Sequence, residues 1–543
     1  MHHPHSPVVL NAWWSRLADT HERGIHVLDD TQGTLIYASY AELCHKARVM
    51  ASVLAAKGIG RGDGVLLCAE SRPEFPVLWL ALTCLGAVPV PLPPQSALVG
   101  RDAFYNRIYP ILPHFRHYLH GRHEAQEIQR AAQDAAIQLS CWAIDEVCRE
   151  AQSPDLVALD PVALQDDDLA FVQYTSGSTR QPKGIRITCA NLVDNLQVIG
   201  RRLALDPEVD TFMSWLPLYH DMGLIGKLLQ AMLTQSSLVL LSPQAFVKHP
   251  LRFLALIESH RGSICSMPNF AYEMLLKRVQ DGTPMPDLSS MRWFGVGAEP
   301  VRLSTTEAFS QRFAAHGLRH GVVSPCYGLA EATLAVSIES PLTGYQIAVH
   351  LDAPHATCGP LLDGFEARID SEGALLIRGP SVARTALVGG QVISLLDEDG
   401  YYNTRDVADI VDGKLVILGR VDEMFVVNGE NRFPYDIEAA VRSVCGETTR
   451  AACFQVPASS PSASQPEVVV LYERRVELAA QDEAMQDRIH AAVLSHAGLR
   501  VDRVVPVDFR TLPVTPSGKI QRVQARQRYM QASRGVEHDP VTA

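Results

Sequence analysis

Between Tyr174 and Gly184 the chain reads YTSGSTRQPKG. Two glycines, two serines, two threonines and one lysine share this short stretch. Such a loop can turn several backbone N–H groups and hydroxyls toward one point, and Lys183 adds a positive charge there. That combination suits a polyanion such as the phosphates of a nucleotide. It is not a Walker loop, because Lys183 lies between Pro182 and Gly184 and not in a Gly-Lys-Ser/Thr triplet. Taken alone, a Gly/Ser/Thr-rich stretch is more often an ordinary surface loop, so the remaining residues decide.

The elements around this loop predict an α/β protein. Leu169 to Val172 read as a buried strand entering it, bounded by Asp166-Asp167-Asp168. Upstream, residues 34–58 give a strand and then a helix, with Leu43, Ala47, Met50 and Leu54 at helical spacing and Gly58 as the stop. GVLLCA (64–69) is a buried strand, and Ser71 with Glu74 has the form of a capping box for the next helix. Residues 95–165 read as mixed helix and loop. Downstream, helix 189–203, strand FMSWLPL, helix 222–233, strand SLVLLS, helix 250–260, strand SICSM, helix 270–280, strand WFGVG, helix 304–316 and strand GVVSPCYG alternate. That alternation predicts parallel sheets covered by helices, with ligands at the carboxyl ends of the strands.

From about residue 360 short strands with Gly-Asp turns (FEARID, ALLIRG, DVADIV, KLVILG) suggest a small antiparallel sheet or distorted barrel. After Gly419 a hairpin, helices and three strands read as a separate α+β unit. The expected organisation is therefore a large N-terminal domain, 1–419, of parallel sheets flanked by helices plus the small sheet, and a small mobile C-terminal domain, 420–543.

A chain of 543 residues is too long for one ordinary core. Its net charge of −12 and lack of a basic stripe exclude nucleic acid as an expected partner. Eleven scattered cysteines, none in a CxxC pair, fit reduced thiols in a cytoplasmic protein. The most apolar run, Phe75 to Leu92, is broken by Gly86, Pro89 and Pro91; it reads as a buried helix and an extended segment, not a transmembrane span.

Four further strings stand in order: YGLAEAT (Tyr327 to Thr333), YYNTRD (Tyr401 to Asp406), GRVDE (Gly419 to Glu423) and LPVTPSGKIQR (Leu512 to Arg522). With YTSGSTRQPKG they resemble the signature of the adenylate-forming superfamily over about residues 30–525. LPLYHDMGLIG (Leu216 to Gly226), SPQAFVKHPLRFL, MPNFAYEML and GAEPVR (Gly297 to Arg302) resemble its fatty acyl-AMP ligase branch. Each string alone has a bland reading as a strand end, a helix first turn or a solvated loop. Their joint order is what overturns it.

The resemblance implies ATP and Mg²⁺ as cofactors and a carboxylic acid as substrate. By resemblance, the loop Thr175, Ser176, Gly177, Ser178, Thr179 and Lys183 holds the β- and γ-phosphates. Tyr327, followed by Gly328, stacks on adenine, and Gly297, Ala298 and Glu299 border adenine and the acyl pocket. Glu331 and Thr175 serve the metal. Asp406 accepts hydrogen bonds from the ribose hydroxyls, assisted by Arg420. Asp422 is the hinge, Lys519 bridges the carboxylate and the α-phosphate from the C-terminal domain, and His220 lines the carboxylate end of the acyl pocket. The implied reaction is formation of an acyl adenylate with release of pyrophosphate. Transfer to the phosphopantetheine thiol of a separate acyl carrier protein, or to coenzyme A, follows; no carrier domain is visible after Arg522.

Departures leave alternatives open. Ala330 stands where most of the superfamily has threonine, and Arg405 stands where glycine is common. Ser337 to Gly359 is shorter than the insertion that marks fatty acyl-AMP ligases, which leaves the acceptor thiol open and an aryl acid such as a hydroxybenzoate as an alternative substrate. A non-catalytic nucleotide-binding scaffold predicts erosion at Lys183, Glu331, Asp406 or Lys519, and all four are present. A kinase or ATPase predicts a Walker or kinase signature, which is absent.

Overall fold

In the computed structural model, the described residues are 8–30, 32–95, 101–121, 125–175, 182–279, 285–299, 301–350, 353–427, 430–446, 449–457, 466–474, 482–514 and 520–535. Strands run apolar where they are covered on both faces. Trp293–Val296, Ile264–Met267 and Ser237–Leu240 are buried almost throughout, as interior parallel strands require.

They belong to an eight-stranded sheet in the order Ala335–Ile338, Val323–Gly328, Trp293–Val296, Ile264–Met267, Thr211–Ser214, Ser237–Leu240, Gly24–Asp29 and Thr34–Ser39. Its interior pairs are parallel and its two edge pairs antiparallel. The alternation after residue 189 is thus borne out element by element. A second, fully parallel sheet holds Val88–Leu92, Gly64–Cys68, His117–His120 and Ser140–Ala143. The run from Phe75 divides into the helix Glu74–Cys84 and the strand Val88–Leu92, both deeply buried. No helix among the described residues is long and apolar enough to cross a membrane.

Three expectations need correction. Residues 95–165 are not merely helix and loop, since His117–His120 and Ser140–Ala143 extend the second sheet; four-residue strands are too short to show a period. Ser71 does not cap the helix from Glu74. Pro73 occupies the cap position at φ −55°, ψ −27°, so the backbone is already helical there, and the Glu74 carboxylate pairs with Arg72 at 3.2 Å. The small antiparallel sheet begins before residue 360, at Ile347–His350, and continues through Ala353–Pro360, Lys414–Arg420, Tyr402–Val411, Ala374–Arg378 and Glu366–Ile369. The short segment after Ser337 therefore supplies two strands of this sheet.

Beyond Arg420 come the hairpin Phe425–Val427 and Glu430–Arg432, then Ala451–Val456, Glu467–Arg474 and Arg503–Asp508 as a mixed sheet with the helices Pro434–Cys445, Asp482–Ala497 and Arg522–Gly535. One buried ionic cluster ties the last helix to this unit. Arg522 meets both oxygens of Glu438 at 2.7 Å and Glu423 at 2.9 Å, and its guanidinium lies 4.0 Å from the centre of the Tyr435 ring. Arg522→Met leaves Glu438, 2% exposed, without its cation. The expected loss is about 3–5 kcal/mol, read as a lower urea midpoint for unfolding of this unit, and Arg522→Met with Glu438→Gln together should recover much of it.

Candidate active site

The central loop does not join a strand to a helix. Leu169–Thr175 and Lys183–Thr188 pair antiparallel, with Thr175 opposite Lys183. Ile185 and Ile187 are fully buried, which makes the second arm a strand. Gly184 opposes Tyr174, and a Cβ there would lie 2.9 Å from the Tyr174 ring. Thr385–Val388 pairs with Lys183–Arg186 on the outer side and carries Gln391–Ser394 beyond it. Across that outer pair, Arg186 and Thr385 lie 199 residues apart in the chain, so nothing local announces the neighbour.

Lys183 therefore projects from a strand held on both sides. Its ammonium lies 3.1 Å from Glu331 Oε1 and 3.3 Å from the Tyr402 hydroxyl, which donates to the same Glu331 oxygen at 2.9 Å. Glu331 sits on a single 3₁₀ turn, Ala330–Ala332. The helix Cys189–Arg202 fixes the segment that follows: Asn195 accepts from Ala335 N at 3.1 Å and donates to Ala335 O at 2.9 Å. Tyr402 stands in the YYNTRD string, where nothing local marks its hydroxyl as the third member of an ionic cluster. Burial, then the Glu331 charge, push its phenol well above the usual range.

A second cluster lies on the same strand as Tyr402. Asp406 stands opposite Arg420 in the antiparallel ladder, and the guanidinium reaches Asp406 Oδ1 at 2.9 Å. The Tyr327 hydroxyl donates to Asp406 Oδ2 at 2.5 Å. Burial first, and then Asp406, raise the Tyr327 phenol well above its ordinary value. Arg405 adopts φ +60°. Its guanidinium grips Asp422 with Nε at 3.0 Å and Nη2 at 2.5 Å from Oδ1. The ion pair offsets backbone strain that glycine would avoid.

His220 caps the short helix Asp221–Gly223, and its Nδ1 lies 2.6 Å from Asp221 Oδ1. Its loop is anchored to the central strand by Gln173, which donates to Tyr219 O at 2.9 Å. Gly223 is required here, since a Cβ would come within 2.4 Å of Pro217 O. Gly297, Ala298 and Glu299 follow the carboxyl end of Trp293–Val296, with Ala298 at φ +67°. Glu299 accepts from Phe270 N at 3.1 Å and so caps the helix Asn269–Arg278. Gly328 packs its Cα against the backbone of Leu334.

Thus Lys183, Glu331, Tyr327, Asp406, Arg420 and Asp422 are linked in two neighbouring networks, and Thr175 borders the first. Ser176, Gly177, Ser178, Thr179 and Lys519 lie outside the described residues. The chain on either side of Lys519 is pinned, with Val514 bridged to Ile520. A carboxylate oxygen such as that of Glu331 fits the hard-ligand chemistry of Mg²⁺. Among the described residues no group of three or more His, Cys, Asp or Glu forms a protein-only metal cage.

Residues 17–386 match the AMP-binding enzyme family, and residues 422–539 match the AMP domain of Disco-interacting protein 2-like proteins. The chain belongs to the AMP-binding enzyme family. It is 27% identical over 551 residues to the medium-chain-fatty-acid–acyl-carrier-protein ligase JamA of Moorena producens, covering 91% of this chain and 90% of that one. It is 29% identical over 532 residues to 4-hydroxyphenylalkanoate adenylyltransferase of Mycobacterium tuberculosis, covering 86% and 82%. A solved structure from studies of the fatty acyl-adenylate ligases of E. coli and L. pneumophila superposes with TM-score 0.85 at 27% identity, covering 97% of this chain and 98% of its own. The adenylate-forming resemblance, the α/β fold with its large N-terminal part and the ligase class are therefore borne out.

The strain at Arg405 gives a direct test. Arg405→Ala and Arg405→Gly both remove the ion pair to Asp422, but only glycine relieves φ +60°. The glycine variant should be the more stable of the two by about 1 kcal/mol in urea unfolding.

Proposed function

We propose that this ligase uses ATP to convert a carboxylic acid to its acyl adenylate with release of pyrophosphate, and then passes the acyl group to the thiol of a separate acyl carrier protein. The observation that carries this reading is the meeting of Lys183, Glu331 and Tyr402 beside Tyr327, Asp406 and Arg420, from strings far apart in the chain. The relatives named as acyl-carrier-protein ligases support the acceptor and a fatty acid substrate. The 4-hydroxyphenylalkanoate enzymes support the aryl alternative.

Attack of a carboxylate oxygen on the α-phosphorus forms one P–O bond and breaks that to pyrophosphate. Negative charge gathers on phosphoryl oxygens, so fixed cations matter more than a proton donor. In our reading Lys183 and the loop Thr175–Thr179 hold the β- and γ-phosphates. Tyr327 lies against adenine, with Gly328 and Gly297 to Glu299 alongside it. Asp406, steadied by Arg420, takes the ribose hydroxyls. His220 faces the acid. Glu331, with Thr175, would hold Mg²⁺, which supplies neutralisation of phosphate charge when bound. Residues 1–419 form the adenylation domain, and residues 420–543 swing about Asp422 to deliver Lys519.

Purified protein should release AMP and pyrophosphate, not ADP, when given ATP, an acid and a carrier protein or coenzyme A. Lys519→Ala should abolish pyrophosphate exchange yet spare acyl transfer from preformed acyl-AMP; equal loss of both half-reactions would refute this division. Tyr402→Phe removes the hydroxyl shared by Lys183 and Glu331 and should lower kcat/KM for ATP roughly tenfold to a hundredfold, the range for a hydrogen bond to a charged group.

A further inference from the structure

The helix that begins at His220–Asp221 continues as a π-helical turn, Leu224–Leu229. Such turns are rare and frequent at functional sites. This one places Lys227 in the interior, 2% exposed, against the eight-stranded sheet. A buried ammonium normally has a carboxylate or several acceptors around it. Among the described residues, the ionisable groups that act on the Lys227 charge are two thiols, Cys265 and Cys326, and no carboxylate. Its ammonium instead lies 5.9 Å from the Phe212 ring centre and 5.5 Å from that of Trp293.

The surrounding groups are polar without being anionic. The register Phe212–Ile264–Trp293 and Gly295–Ser324, with the two-residue period of a strand, puts Phe212, Trp293, Ser324 and Cys326 on one face. On that face Trp293 Nε1 and Ser324 Oγ are buried without a hydrogen-bond partner. Cys265 and Cys326 feel the Lys227 charge, but burial pushes both thiols up to about 12, so neither is a counter-ion at neutral pH. Burial lowers Lys227 itself to about 8, which still leaves it cationic there.

Position relates this group to the proposed acid site. Lys227 is seven residues, about two helical turns, beyond His220 along one continuous helical stretch. Cys326 immediately precedes Tyr327. We propose that Lys227 lines the far end of the acyl pocket and selects acids whose distal end carries a hydrogen-bond-accepting oxygen, a hydroxyl or a second carboxylate, over plain alkanoates. This rests on the ligase reading above. The acceptor oxygen would meet the ammonium, and the unpaired Ser324 and Trp293 donors lie on the same face.

The test is pyrophosphate exchange with alkanoates from hexanoate to dodecanoate, each matched to its ω-hydroxy and α,ω-dicarboxylic counterpart. Wild type should favour the oxygenated acid over its matched alkanoate by roughly tenfold or more in kcat/KM, the scale of a charge-assisted hydrogen bond. Lys227→Met should abolish that preference and improve alkanoate use. Lys227→Gln, a neutral donor, should keep part of the ω-hydroxy preference and lose the dicarboxylate one. A wild-type preference for plain alkanoates, or an unchanged ratio in a folded Lys227→Met, overturns the inference and leaves the ligase reading intact. No exchange with any fatty or aryl acid overturns both.

Discussion

The ion pair between Lys183 and Glu331 joins residues 148 apart in the chain and is the constraint on which the site depends. Lys183 belongs to the four-stranded antiparallel sheet, and Glu331 follows a strand of the eight-stranded sheet. Tyr402, from the six-stranded sheet, bonds to both. Three sheets thus meet at one carboxylate. Partly buried charges are costly unless paired and hydrogen-bonded, so each sheet restrains the other two. A polyanion site needs such convergence, because no single element can present cation, carboxylate and hydroxyl together.

The backbone around this point is held just as firmly. Gly184 lets the Tyr174 ring lie across the hairpin, and Gly223 lets the His220 turn pack on Pro217. Arg405 shows the reverse solution. A side chain occupies a left-handed position, and its own guanidinium pairs with Asp422 to hold it there. That pair joins the Asp406 strand to the residue proposed as the hinge. Further along, Arg522 locks the last helix, Arg522–Gly535, onto Glu438 and Glu423.

Lys227 contrasts with Lys183. The half-buried lysine of the site has a carboxylate and a phenol as partners, whereas the interior one has aromatic rings and neutral thiols. Only the first could be singled out from its motif. LPLYHDMGLIG resembles acyl-AMP ligases, and the residue just after it carries the buried charge. The stretch from Met222 to Met232 is buried on nearly every side, so a lysine within it is enclosed.

The order of the motifs, the alternating strands and helices and the family were all legible in the residues, because apolar periodicity and a glycine-rich loop are local properties. The places where reading failed are also physical. The strands at His117–His120 and Ser140–Ala143 are too short to show a period, and Pro73 displaced the expected cap at Ser71. Lys183, Glu331, Asp406 and Arg420 could be named from sequence, but not which of them touch. Tertiary structure alone decided that Tyr402 completes the Lys183–Glu331 pair, that Tyr327 bonds Asp406, and that Lys227 turns inward. Each depends on packing between distant segments, and for the strand residues Tyr327 and Tyr402 one residue of slip would turn the side chain to the opposite face.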